Sequence, residues 1–414
     1  MNWSPTREHA LARLAEFLPA AGTTYAQRRN ADDGPSASGR SNVSQLSPWL
    51  HAGVLGEAEV LEAVLAQHGP RAAEKFIAEV FWRIYFKGYL EQRPGVWDSY
   101  REGRDAALSA MEANAGLRKA YAEATEGRTG IAAFDVWARE LAETGYLHNH
   151  ARMWFASIWI FTLRLDWQLG ADFFLRHLLD GDAASNTLSW RWVAGLHTRG
   201  KHYLAQADNI ARYTAGRAGG PLTADGLAQD AEPLTEPHDH PRGLPDLPPP
   251  VTPAELGAPY ALLLHDEAAH HAPLAAPLVQ AAAPALVIGA SRPQARSPGA
   301  VGLPARRFTE AAMTGGMAEA AAAFGCPAAV WQPGEPIEPL LAQAGIALLA
   351  VPYLPAGWTR DALAPGLAAL AEQGRVVFLL GDLDRATWPL AKAGFFGVAK
   401  QIDALLGECG IGGG

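Results

Sequence analysis

Cysteine is nearly absent from this chain: Cys326 and Cys409 are the only two in 414 residues. They have no paired spacing, so neither a disulfide framework nor a cysteine-ligated metal site is expected. That usage suits a reducing cytoplasm. Long apolar runs are missing as well. No stretch of about 18 apolar residues occurs, so no membrane span is expected. The N-terminal "MNWSPTREHALARLAEFLPAAG" scatters charges through its apolar residues and does not read as a signal peptide. Basic residues are scarce in the second half. Up to Arg217 there are 24 Lys and Arg against 24 Asp and Glu, and from Ala218 onward 10 against 19. The second half is therefore a poor surface for nucleic acid, whereas the neutral first half has room for a local basic patch.

Proline is the residue the first half lacks. Six of 30 prolines precede Arg217, while ten of 13 tryptophans lie before residue 200. The stretch "GGPLTADGLAQDAEPLTEPHDHPRGLPDLPPPVTPAELG" (219–257) is rich in Pro and Asp and poor in large apolar residues. It reads as a linker, extended where prolines cluster. Three regions follow: a helical domain over 1–217, a linker over 218–257 and an α/β domain over 258–414. With 49% hydrophobic residues, a sizeable core is available to both domains.

The two sides differ in rhythm. "RAAEKFIAEVFWRIYFKGYLEQ" and "HNHARMWFASIWIFTLRLDWQL" repeat apolar residues at three and four spacing over long runs, which predicts helices. After the linker, "YALLLHD", "ALVIGA", "AAVWQ", "ALLAVP" and "RVVFLLGD" read as buried strands. "TGGMAEAAAAFG" and "DALAPGLAALAEQG" read as helices between some of them. This alternation predicts a Rossmann-like, mostly parallel sheet in the smaller second domain.

Polar residues sit beside aromatics at helical spacing in several places. Glu79, Trp82 and Arg83 fall at i, i+3 and i+4; Asn149, Arg152 and Met153 repeat that pattern. In "LLDGDAASNTLSWRW", Asp180 and Asp182 flank Gly181, and Asn186 and Trp190 stand four apart. Each set alone reads as a helix end with a satisfied ion pair. Together they point to a bound polar and flat ligand, because buried polar groups are costly unless paired. "SNVSQLSPWLHAG" adds Ser41, Ser44 and Ser47 around a predicted helix start with Pro48 just inside it. By itself that is an ordinary N-cap, and equally a place where free N–H groups meet phosphate.

These segments resemble, in order and spacing, the FAD-binding helical domain of the cryptochrome/photolyase family. The carriers are "NVSQLSPWLHAGVL", "EVFWRIYF", "EGRTGIAAFDVWARELAETGYLHNHARM" and "LDWQLGADFFLRHLLDGDAASNTLSWRW". The resemblance implies noncovalent FAD in a folded form. Tyr25 and the Ser44, Gln45, Leu46, Ser47 loop would hold its phosphates, with Phe76, Glu79, Arg83, Asn149 and Arg152 supporting it from neighbouring helices. Asp180 and Asp182 would contact the adenine–ribose and flavin ends, Arg152 would pair with Asp180, and Asn186 would face the flavin N5. Glu79, Trp82, Met153 and Trp192 match the family's lesion pocket, and Trp190 and Trp167 its inner and middle electron carriers.

The implied activity is that of a deoxyribodipyrimidine photolyase-like lyase. Light would drive an electron from reduced FAD into a cyclobutane pyrimidine dimer of damaged DNA, extruded from the helix. A cryptochrome-like blue-light photoreceptor with a protein partner, and repair of (6–4) photoproducts, are the other readings the resemblance leaves open. Val43 stands where the family has threonine, Tyr146 where it has tryptophan, and Ala124 where the outermost tryptophan of the electron chain belongs; Tyr121 is a candidate substitute. The domain order is also unusual, since the family begins with its α/β domain. "AGFFGVAKQIDALL" resembles the helix closing that domain, which suits a permuted arrangement. An antenna chromophore is implied for the α/β domain without residues to identify it. "HDEAAHH" (265–271) offers ligand-type side chains, read here as surface polar residues, and no metal ion is expected. "HNH" (148–150) lies inside a helical pattern without companion metal ligands, against a nuclease reading.

Overall fold

The computed structural model describes residues 3–36, 39–198, 200–257, 259–274 and 282–412, so the expected domain start at 258 lies outside the described residues. Among the described residues eleven α-helices precede the linker: α1 (Arg7–Phe17), α2 (Thr23–Arg28), α3 (Ser47–His51), α4 (Glu57–Glu91), α5 (Gly95–Ala113), α6 (Ala115–Thr125), α7 (Ala132–Thr144), α8 (Asn149–Ser157), α9 (Trp167–His177), α10 (Ala183–Ala194) and α11 (Ala207–Tyr213). Helix α4 starts where Glu59 reaches back to accept the Gly56 N–H at 2.7 Å. It kinks at Gly69 (φ 70°), immediately before Pro70, whose missing N–H interrupts the hydrogen-bond ladder. The part beyond the kink carries Phe76, Glu79, Val80 and Arg83 along one face.

The second long helical run, 148–169, is not one helix. Helix α8 passes into a π-helical turn, Ile158–Thr162, in which the Leu163 N–H reaches the Ile158 carbonyl at 2.9 Å. Arg164, at φ 55°, then breaks the chain direction before α9. Apolar spacing alone does not register such a break, because both helices bury their apolar faces in one core.

Five strands form one parallel sheet: β1 (Tyr260–His265), β2 (Leu286–Ala290), β3 (Ala328–Val330), β4 (Leu348–Pro352) and β5 (Val376–Leu379). Their order is β3-β2-β1-β4-β5. Ala261 lies opposite Leu286 on one side and Leu349 on the other, so β1 is central and fully buried. Its continuous apolar run reflects cover on both faces. The helices Leu303–Phe324 and Trp358–Glu372 supply cover, and their sequences include the stretches expected to be helical.

Compositional halves do not translate into separate cores. One apolar cluster joins Phe81, Ile84 and Tyr85 of α4 to Leu262 and Leu264 of β1, Met313, and Trp388, Phe395 and Val398 near the C-terminus. The linker is also more engaged than its composition suggests. Residues 218–252 form no helix or strand, yet Ala224 and Leu227 are buried. The Leu234 N–H reaches the Ala194 carbonyl at 2.9 Å, the Gly243 N–H reaches Gln92 at 2.8 Å, and Glu236 pairs with Arg191. A short helix, Pro253–Leu256, with Thr252 as its cap, closes the expected linker.

Candidate functional site

A cavity of about 540 Å³ opens among α2, the 44–47 turn, α4, α8 and α10. Its depth can be read from exposure. Asp180, Asp182, Asn186 and Trp190 are buried, whereas Glu79, Trp82, Met153 and Trp192 are half-buried and Phe396 is exposed. The cavity therefore has a polar floor with one indole and a largely aromatic rim. Phe76, Val80, Ala156, Phe174 and Val193 supply apolar walls between them.

Fifteen of the residues singled out in the sequence line this cavity: Tyr25, Ser44, Ser47, Phe76, Glu79, Trp82, Arg83, Asn149, Arg152, Met153, Asp180, Asp182, Asn186, Trp190 and Trp192. Three do not. Gln45, at φ 58°, turns its Oε1 back to accept the Arg40 N–H at 2.7 Å. Leu46 caps α3 and packs into the core. Trp167 stands at the start of α9 with its ring 5.8 Å from Tyr100. The serine turn also differs from the expected N-cap: Ser47 is the first helical residue, and the Leu46 cap offers no side-chain hydrogen bond.

The floor is held by local capping and by distant cations. Asp182 caps α10, its Oδ1 accepting the Ser185 N–H at 2.6 Å, and Gly195 (φ 86°) ends that helix. Arg83 lies 3.4 Å from the other Asp182 oxygen and donates from Nε to Glu57 at 2.8 Å. Burial alone would raise the Asp182 carboxyl, but Arg83 and Lys87 outweigh it and hold the group well below the usual range. Asp180 is likewise buried, and Arg152, donating at 3.0 Å, holds it down. Its Oδ1 has no hydrogen-bond partner among the described residues. Asn186 donates from Nδ2 to the Ala171 carbonyl at 2.8 Å, which leaves its Oδ1 as an acceptor. At the rim, Arg29 pairs with Glu79, whose carboxyl is raised by burial against that pull.

Residues 76–218 match the family described as the FAD binding domain of DNA photolyase. Over those residues the helical half is similar to the FAD-binding domain of photolyases. The deoxyribodipyrimidine photo-lyase of Streptomyces griseus is 36% identical over 168 residues, which is 40% of this chain and 35% of that one. That of Thermus thermophilus is 37% identical over 192 residues, 46% of this chain and 43% of the relative. A solved class III photolyase from Agrobacterium tumefaciens aligns at 28% identity with a TM-score of 0.43, over 51% of this chain and 43% of that one. The chain thus spans less than half the length of these relatives. Tyr25, Ser44 and Ser47 lie before the matched residues of the photolyase domain but on the same cavity.

FAD suits the residues present. Its flavin N–H, adenine amine and ribose hydroxyls are donors, and the unpartnered Asp180 Oδ1 is a buried acceptor that costs about 1–3 kcal/mol while unmet. The volume falls within the range of roughly 300–1,000 Å³ usual for cofactor sites.

Several supporting residues are invisible as motifs. Arg13 shapes the serine turn, donating to the carbonyls of Arg40 at 2.6 Å, Val43 at 2.9 Å and Ser44 at 2.8 Å. Arg40 and Arg217 bridge buried Asp32 and Glu140 behind it. The only sequence sign is an arginine on the apolar face of α1. The Trp190 ring lies 6.2 Å from Trp159, which lies 6.0 Å from Tyr121, while Ala124 is buried in the core.

"HDEAAHH" is not a surface string. His265, which ends β1, is buried, and so are Asp266 and His270 in the stretch that follows it. Asp266 accepts from Ser291 at 2.6 Å, and burial pushes its carboxyl up to about 6. His270 faces Glu319 at 2.8 Å. Glu267 instead meets His51 and Asp182, their ligand-type atoms lying within 4.8 Å of one another, with Lys87 3.0 Å from Glu267. In "HNH", His148 caps α8 through Nδ1, accepting the His150 N–H at 3.1 Å, and His150 stacks on Trp154.

Proposed function

We propose that the chain binds FAD in this cavity and uses it for light-driven repair of cyclobutane pyrimidine dimers in DNA. The observation that carries the reading is the depth order: a carboxylate-and-amide floor beneath a half-buried rim of Glu79, Trp82, Met153 and Trp192. That order suits a cofactor held inside and an extruded pyrimidine dimer received from outside.

Bound there, FAD supplies the light absorption and the electron exchanged with the dimer. The chain's own groups hold and orient. Asp180, its carboxylate fixed by Arg152, would accept a donor from the cofactor. Asn186, held by its bond to Ala171, would offer Oδ1 to it. Trp190, packed against Phe174 at 5.1 Å, would return an electron to the site after loss. Trp82 and Trp192 exclude water and give the flipped bases flat apolar surfaces. Glu79 would meet the dimer carbonyls from the rim, where burial raises its carboxyl against the pull of Arg29.

Glu79 provides the test. With pre-reduced protein and a dimer-containing oligonucleotide, Glu79→Ala is expected to lose at least tenfold in repair per photon absorbed, since a buried polar partner is left unpaired. Glu79→Gln keeps a donor and should retain more of it. Equal repair by wild type and Glu79→Ala would remove the assignment of the rim, and a wild type that photoreduces yet repairs nothing favours the photoreceptor.

A further inference from the structure

Among the described residues Phe396 is the most exposed of the large apolar side chains, at 79%, and it lines the same cavity as Trp82, Met153 and Trp192. It comes from the far end of the chain, in "KAGFFGVAK" (392–400), which belongs to the α/β half. An aromatic ring held in water at the edge of a deep cavity is costly unless something covers it.

The segment is not a loose tail. Its neighbour Phe395 is buried and stacks on Trp82, with ring centroids 4.1 Å apart and planes 17° from parallel. Tyr85 donates its hydroxyl to the Ala393 carbonyl at 2.6 Å, and Arg93 donates to Lys392 at 2.6 Å. Gln92 holds the Trp388 carbonyl at 2.5 Å, where Gly88 allows the two backbones to touch. Three side chains of α4 and the stretch just after it therefore fix the backbone on which Phe396 stands. Its exposure is built in by anchors on both sides.

The surroundings point to the kind of partner. Lys392 and Lys400, both exposed, stand four residues either side of Phe396. They are two of only ten basic residues after Arg217, in a half that has 19 acidic ones. Two exposed lysines in the sequence beside an exposed apolar ring, in an otherwise acidic half, suit a phosphate backbone flanking stacked bases. Gly394 and Gly397 border the two phenylalanines and have open space where a side chain would be, so a backbone can approach closely.

We infer that Phe396 is a DNA wedge, which stacks against the bases laid open where a dimer leaves the helix, with Lys392 and Lys400 gripping the adjacent phosphates. This rests on the repair reading above and extends the DNA-contacting surface to the α/β half. Apolar wedges of this kind fill the gap that base extrusion creates, and base–aromatic stacking tolerates any sequence. Phe396 receives the DNA around the dimer, while Trp82 and Trp192 receive the dimer itself.

The test is binding in the dark, where no repair occurs. Fluorescence anisotropy of the FAD-loaded protein compares a labelled duplex containing one cyclobutane dimer with the same duplex undamaged. Phe396→Ala is expected to weaken binding to the damaged duplex at least tenfold and leave the undamaged affinity within twofold. Phe396→Trp should keep the discrimination. Lys392→Gln with Lys400→Gln should weaken both duplexes and flatten the salt dependence. If wild type discriminates and Phe396→Ala discriminates equally, the wedge is overturned and the repair reading stands. If wild type binds both duplexes alike, the repair reading falls and the wedge with it. Sedimentation gives the remaining outcome: a wild-type dimer that Phe396→Ala turns into a monomer, with DNA affinity unchanged, assigns the ring to self-association and overturns the wedge.

Discussion

Asp180 and Asp182 stand two residues apart and are buried alike, yet they do different work. Asp182 spends one oxygen on capping α10 and faces Arg83 with the other. Asp180 has Arg152 on one oxygen, while its other oxygen has neither a hydrogen-bond partner among the described residues nor an ion pair like that of Asp182 with Arg83. Asp180→Ala should therefore leave the fold intact and cost the cofactor about 2 kcal/mol, roughly thirtyfold in affinity. The ratio of flavin absorbance to protein absorbance after gel filtration measures this. Full retention of flavin would mean that the free oxygen meets something other than FAD. Both aspartates were legible in the sequence because glycine between two acids, before a helical pattern, is a local signal. Arg13, which shapes the serine turn, was not: its three carbonyl partners lie 27 to 31 positions away, and no short window contains both ends.

Helices whose caps and faces are local were the most legible elements. The face of α4 that lines the cavity follows from helical spacing, and so do Asn186 and Trp190 on α10. The π-turn after α8 was hidden, since a widened turn keeps the same apolar content. The cap of α8 has its own consequence. His148 is buried, and burial pushes its ring down to about 3. A base with a depressed folded value contributes stability that is present above the ordinary histidine range and is lost as pH falls below it. Between about pH 6.5 and pH 3 the unfolded chain binds the proton and the folded chain does not, so stability declines by roughly 2 kcal/mol by pH 5. His148→Asn keeps an acceptor for the His150 N–H and removes the titration. Thermal melts at pH 7 and pH 5 should show a smaller drop in that variant than in wild type. An equal drop would assign the acid sensitivity to other groups.

At the scale of the whole molecule, tryptophan and proline counts divide the chain cleanly while the packing does not. Strands β1, β2 and β4 were readable from buried apolar runs, whereas β3, also expected to be buried, is largely exposed at the sheet edge and β5 half-buried. Which surfaces the two halves share depends on contacts between the chain's ends. Gly88 shows how close they come: a Cβ there would lie 2.7 Å from the Trp388 Cα. Gly88→Ala should force α4 and the 388–400 segment apart, lowering stability by about 1–3 kcal/mol in chemical denaturation. An unchanged midpoint would show that the contact yields freely. The same contact sets the rim, because Phe395 stacks on Trp82 and Phe396 stands beside the cavity only while that segment is seated.

A buried polar floor that holds FAD beneath a rim receiving a pyrimidine dimer should make the protein a light-driven repair catalyst. Reversal of a single cyclobutane dimer in an oligonucleotide by the FAD-loaded, pre-reduced protein, followed in parallel under blue light and in darkness, tests this. Intact pyrimidines are expected in the illuminated sample alone, with many turnovers per protein molecule. Dimers that persist under light, with the flavin bound and reduced, would contradict that expectation.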